Sequence, residues 1–177
     1  MTTKTRKPSL RTRGLRAAAA LLLVAAWGCE SARVTAPEAA VKSGGRVVSP
    51  EFDIHEATLR YMFASHGATG MDAYCVSTGH PDANNDPSSL LLDRFAGSTP
   101  QVVAYSSCTI SVSGDTYNPT GGPAQWFFLS SAAISGRRAT VSTGFHVNGR
   151  LAEWYDCSLR ETGTGWSVSG CTLTGAA

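Results

Sequence analysis

The sequence predicts an α+β domain: one long N-terminal helix and a short second helix packed on a curved antiparallel sheet of about five strands, the last three forming a meander. Three observations carry this. Asn148-Gly149 sits between two runs that alternate in period two, the pattern of a tight hairpin with one drier and one wetter face. Thr162-Gly163-Thr164-Gly165 breaks the second run, and a third run resumes at Trp166. Far upstream, Ser49-Pro50-Glu51 has the chemistry of a helix start: a capping hydroxyl, proline at the first helical position and an acid in the first turn.

In the meander, Ala139, Val141, Thr143, Phe145 and Val147 share one face, and Thr140, Ser142, Gly144 and His146 the other. Leu151, Glu153, Tyr155, Cys157 and Leu159 alternate likewise with Ala152, Trp154, Asp156, Ser158 and Arg160. With the second turn centred near Thr164, Cys157 lies opposite Cys171, close enough for a disulfide. A one-residue slip would send Cys171 to the other face.

The front end belongs to export. Residues 2–16 hold Lys4, Arg6, Lys7, Arg11, Arg13 and Arg16 and no acid, and residues 17–27 are an apolar run of 11. That run is too short to span a membrane, which takes about 20 residues, and fits a signal peptide over residues 1–28. Ala26-Trp27-Gly28-Cys29 resembles the lipobox of bacterial lipoproteins, although Ala26 and Trp27 stand where such boxes carry Leu and a small residue. The resemblance implies lipid on Cys29 and attachment to a membrane. Five cysteines is an odd number, and assigning Cys29 to lipid leaves four to pair. Ordinary cleavage after Gly28 and free secretion is the alternative. Residues 29–48 then read as a flexible tether and residues 49–174 as the single domain.

The formal charge of +2 includes six basic residues of the signal; without them acids exceed bases by about four. No basic patch remains, which argues against a nucleic-acid partner.

The first helix, about 16 residues from Pro50, would lay Phe52, Leu59, Met62 and Phe63 on the sheet and end at Gly67. Ala73 to Ser77 reads as a short strand, and Asp86-Pro87 as the start of the second helix, with Leu90, Leu91 and Phe95 apolar. Residues 101–112 alternate weakly, residues 114–123 form a loop rich in Gly and Pro, and residues 125–134, apolar on both faces, form a central strand.

Tyr74-Cys75-Val76, then Asp86-Pro87-Ser88-Ser89-Leu90-Leu91, then Ser106-Ser107-Cys108, and finally Gly165-Trp166-Ser167-Val168 together resemble a pattern of uncharacterised exported bacterial proteins. The resemblance covers roughly residues 74–173 and implies architecture and a Cys75–Cys108 bridge, with no activity attached. More distantly, the chain is similar to cystatin-like and nuclear-transport-factor-2-like α+β domains, a likeness of fold alone. An exported chain favours disulfides for its four domain cysteines, and of three connectivities Cys75–Cys108 with Cys157–Cys171 is the one preferred.

Catalytic and metal motifs are weak. His66, Cys75 and His80 lack zinc-site spacing. Asp82, Asn84, Asp86 and Asp93 have a trace of calcium-loop spacing, with Pro87 where the loop requires glycine. His55, His66, His80 and His146 accompany many serines without a nucleophile elbow, and Glu153 and Asp156 fall on opposite faces of one strand. No cofactor is implied. The reading that remains is an envelope lipoprotein acting as a non-catalytic module for a small apolar ligand or a protein partner. Trp126, Phe128, Trp154 and Trp166 are the candidates to line its surface, although the burial habits of aromatics favour the core for them. A small hydrolase or isomerase on the same fold is the alternative.

Overall fold

The structure is a computed structural model that describes residues 41–43, 46–79 and 85–177. The expected signal peptide and lipidation site Cys29 lie outside the described residues. Within the stretch read as a tether, β1 (Val41–Ser43) pairs antiparallel with β2 (Arg46–Val48) as a two-stranded sheet of its own.

Helix α1 (Pro50–His66) begins at the expected residue, with Ser49 extended at the N-cap and Asp53 N bonded to Ser49 O at 3.0 Å, but the Ser49 hydroxyl makes no capping bond. It buries Ile54, His55, Thr58, Leu59 and Met62, while Phe52 and Phe63 pack half-buried against the same core. Its end differs from the left-handed glycine cap that the sequence suggests. Gly67 has φ −64° and ψ 119°, and its N–H bonds Phe63 O at 3.0 Å. The buried side chain of Gln125 closes the terminus instead: its Oε1 accepts from Ala68 N at 2.8 Å and its Nε2 donates to His66 O at 3.0 Å. Glycine is still required at position 67, because a side-chain carbon there would collide with the Tyr74 hydroxyl and Phe63 O.

The main sheet has nine strands among the described residues. Its principal order is β11 (Gly165–Ala176), β10 (Leu151–Thr162), β9 (Arg138–Asn148), β7 (Pro123–Leu129), β3 (Ala73–Thr78) and β4 (Gln101–Ala104). Short β5 (Thr109–Ile110), β6 (Thr116–Tyr117) and β8 (Ala133–Ser135) pair at its margins. The α+β class and the three-stranded meander are as expected; the central strand expected over 125–134 is β7, Pro123–Leu129, and the end of that segment belongs instead to the separate marginal strand β8. The expectation of about five strands, all antiparallel, is corrected: β3 runs parallel to both β4 and β7. Between β3 and β4 the chain has no hairpin turn but a crossover carrying α2 (Ser89–Leu92), and a crossover of this length returns the chain parallel. Its interior position leaves five of the six β3 residues buried.

The second helix starts later than Asp86-Pro87. Ser88 is its cap, accepting from Leu90 N at 3.2 Å, because the Asp86 carboxylate is engaged across the fold by Ser106 N at 2.8 Å and Ser106 Oγ at 2.5 Å. A 3-10 turn follows at Asp93–Phe95, and Arg94 from it reaches back to α1, meeting Asp53 at 2.5 Å and Glu56 at 3.0 Å. Arg60 lies over the Phe95 ring at 4.9 Å and completes that clamp.

The first hairpin turn is also shifted, and the second falls in the expected break. Asn148 pairs with Leu151, so Gly149-Arg150 forms the first turn, with Asn148 Oδ1 accepting from Arg150 N at 3.0 Å. The second turn is Gly163-Thr164, and two β-bulges in β11 then change the register with β10, one between Ser158 and Leu159, the other between Trp154 and Tyr155. The extra residues are Ser169 and Thr174. The core between α1 and the sheet holds Ile54, Leu59, Met62, Phe127, Leu129, Val141, Phe145 and Leu159.

Candidate functional site

The sheet face away from α1 carries the site. Strand alternation turns Phe127 to the helix and Phe128 outward, and it does the same in β9 and β10, so outward residues fall in register across four strands. One row runs Phe128, Gly144, Trp154, Gly175; each is the direct cross-strand partner of the next. The two glycines make room for the two rings. A side-chain carbon on Gly144 would strike Glu153 O and the Phe128 ring, and one on Gly175 would come within 3.4 Å of Trp154 Cε3.

Beside this aromatic row lies a polar one. Ser142 pairs with Asp156, and Asp156 with Thr172. Ser142 Oγ donates to Asp156 Oδ1 at 2.6 Å, and Ser142 N donates to Ser130 Oγ at 2.9 Å. The bulge at Thr174 adds one more hydroxyl on this side, a use of bulges that re-aims a side chain next to a site. Between the two rows runs a groove of about 280 Å³, walled by Phe128 and Trp154 and by Ser130, Ser142, Asp156 and Thr174. That volume is near the lower end for ligand pockets, so the groove has room for one small ring system.

On the far side of the aromatic row stands Trp126. Its Nε1 donates to Ser77 Oγ at 2.9 Å, its ring meets Tyr105 at 4.9 Å and His146 at 5.9 Å, and it packs by the Cys75–Cys108 bridge. Of the four aromatic candidates, Trp126, Phe128 and Trp154 therefore gather on the open face. Trp166 does not join them; it pairs with Glu161 on the helix side and lines a separate cleft of about 400 Å³ with Asp53, Glu56 and Arg60.

Both disulfides are present: Cys75–Cys108, with Cα atoms 6.3 Å apart, and Cys157–Cys171, at 4.0 Å across β10 and β11. Two such bridges mark an oxidising, extracytoplasmic compartment. No helix among the described residues is long and apolar enough to cross a membrane. Cys75 is thereby taken from any zinc set, His66 lies between the Phe145 and Tyr155 rings at 5.3 and 4.7 Å, and His80 is outside the described residues. Asp82 and Asn84 of the calcium-like spacing are outside them too, while Asp86 is held by Ser106.

Three further titratable groups have shifted pKa values. His55 donates from Nε2 to Ser130 O at 3.0 Å and stands 3.9 Å from Glu51; burial lowers its pKa, against the pull of Glu51 and of the Ser130 carbonyl. Burial also lowers that of His146, with Asp115 opposing. Tyr155 is pushed up to about 12 by burial and by its hydrogen bond to the Glu153 carboxylate. Glu153 and Asp156 thus serve opposite faces, as alternation required.

Sequence reading missed Ser130, Ser142, Thr174 and the two glycines of the aromatic row. Ser142 and Gly144 were legible as outward residues of β9, but which residues they face depends on pairing across strands that are distant in sequence. Comparison with protein-family models, curated proteins and solved structures finds no match.

Proposed function

We propose that the protein is an exported envelope module that binds a ligand or partner segment at the groove of the open sheet face, without catalysing a reaction. The observation that carries this reading is the aromatic row set beside the hydroxyl-and-carboxylate row, an apolar wall facing convergent polar groups. The groove's described lining has one acid, Asp156, bonded to Ser142, and includes no histidine, lysine or cysteine to act as a base or activated nucleophile. A lipid on Cys29, with residues 30–48 as tether, would hold such a module at the cell envelope; the paired front-end chemistry and the two disulfides support that placement. The test is a protein-observed NMR screen of small ring compounds, with mass spectrometry of the mature chain for the lipid. Saturable shifts centred on the Trp154 indole are expected. Shifts confined to the α1 side, or ester hydrolysis abolished by Ser142→Ala, would overturn the binding reading; a mature chain lacking lipid mass would overturn the anchor.

A further inference from the structure

We infer that the groove is built for a neutral pyranose, the sugar ring of an uncharged glycan; the inference rests on the binding reading above and names its ligand class. A pyranose is two-sided: its axial C–H face is apolar and stacks on aromatic rings, while its rim of hydroxyls demands donors and acceptors in fixed directions. The open face is two-sided at the same scale. Trp154 has glycine as its direct cross-strand neighbour on either side, Gly144 and Gly175, so neither neighbour puts a side chain of its own against the indole, and the Phe128 ring lies over Gly144. One strand step away stand Ser130, Ser142, Asp156 and Thr174, three hydroxyls and a carboxylate spaced by the strand and interstrand repeats. Ser142 and Asp156 bond each other, yet a wholly apolar ligand would still strip water from the Asp156 carboxylate, a cost that a sugar's hydroxyls reduce. Asp156 is the single charged side chain of the groove's described lining, which disfavours uronic and other acidic sugars.

The Thr174 bulge supports the same assignment. In β11 it seats Gly175 opposite Trp154 and still keeps Thr174 on the groove, so a single irregularity supplies both the clearance and the hydroxyl.

The experiment is NMR titration of the purified, oxidised protein with the methyl glycosides of glucose, galactose, mannose and N-acetylglucosamine. Cyclohexanol serves as a ring of equal size without the hydroxyl pattern, and methyl glucuronide as the charged control. Saturable shifts of the Trp154 indole N–H with at least one neutral glycoside are expected. Affinity should fall about tenfold or more in Trp154→Ala and in Asp156→Asn, and methyl glucuronide should bind more weakly than methyl glucoside. If cyclohexanol shifts Trp154 and no glycoside does, the groove binds apolar rings and the sugar assignment is wrong. If neither does, the binding reading falls with it. A glycoside response unchanged in Trp154→Ala overturns the assignment as well. Should that variant fail to fold, Asp156→Asn and Thr174→Val decide the matter by the same loss.

Discussion

Phe127 and Phe128 are neighbours in one strand, and they belong to two differently made surfaces. Phe127 points to α1, where it meets the Phe63 ring at 4.9 Å and the Tyr74 ring at 5.2 Å, both edge-on, inside a continuous apolar core. Phe128 points the other way, over a glycine and toward a tryptophan, beside a row of hydroxyls. Around Phe127 the helix face is packed with buried side chains, Leu59, Met62, Leu129, Val141 and Phe145 among them. On the open face two glycines leave space that rings from neighbouring strands only partly occupy. The same alternation that packs Phe127 into a core therefore sets Phe128 on the wall of a groove.

The comparison can be broken at several depths. Phe127→Ala should be the most damaging, costing about 3 to 5 kcal/mol by chemical denaturation, because the packed face cannot collapse around the void. A loss under about 1 kcal/mol would show that the helix face is loosely packed after all. Removal of the bridges by Cys→Ser pairs follows. On loop entropy alone, Cys75–Cys108, separated by 33 residues, contributes about 4 kcal/mol, and Cys157–Cys171, separated by 14, about 3 kcal/mol; paired thermal melts should keep that order.

Gly144→Ala sharpens the contrast on the open side. Its new methyl meets a backbone carbonyl and the Phe128 ring, so a loss of about 1 to 3 kcal/mol is expected, whereas the same change at Gly170, which has open space, should cost far less. Trp154→Ala, by contrast, should lower stability by no more than about 2 kcal/mol while removing the groove's wall, a separation that a melt and a ligand titration together would reveal.

The smallest effect is acid sensitivity. His55 and His146 have folded pKa values held below the ordinary 6.5 by burial. The unfolded chain therefore takes up protons first as pH falls below that value. Stability is full above about 6.5 and declines as pH drops toward the folded values. Urea midpoints measured between about pH 7.5 and pH 5 should show the decline, and His55→Gln and His146→Gln should each flatten it, dividing the effect between the helix side and the open side. A midpoint that rises on acidification would reverse the sign.

Local chemistry made much of this legible in advance. Ser49-Pro50 placed the start of α1, the alternation of residues 139–159 placed the meander, and Cys157 was read opposite Cys171. What failed was non-local. The parallel placement of β3 depends on a crossover whose direction no residue in β3 encodes, and Gly67 is closed by Gln125, which lies 57 and 59 residues from the groups it binds. Asp86 had good capping credentials and was taken by Ser106 instead. The groove is of the same kind. Its residues come from the β3, β7, β9, β10 and β11 regions, and it exists only in their register.

The looped-out Ser169 has a consequence for the Cys157–Cys171 bridge. Counting back from the Gly163-Thr164 turn without it, Cys171 would face Asp156 and the thiols would sit on opposite sides of the ribbon, out of bonding reach. Within a paired hairpin, the bridge and the bulged register therefore require one another. Once closed, the sulfur link locks the β10–β11 ribbon in the register that the looped-out Ser169 creates.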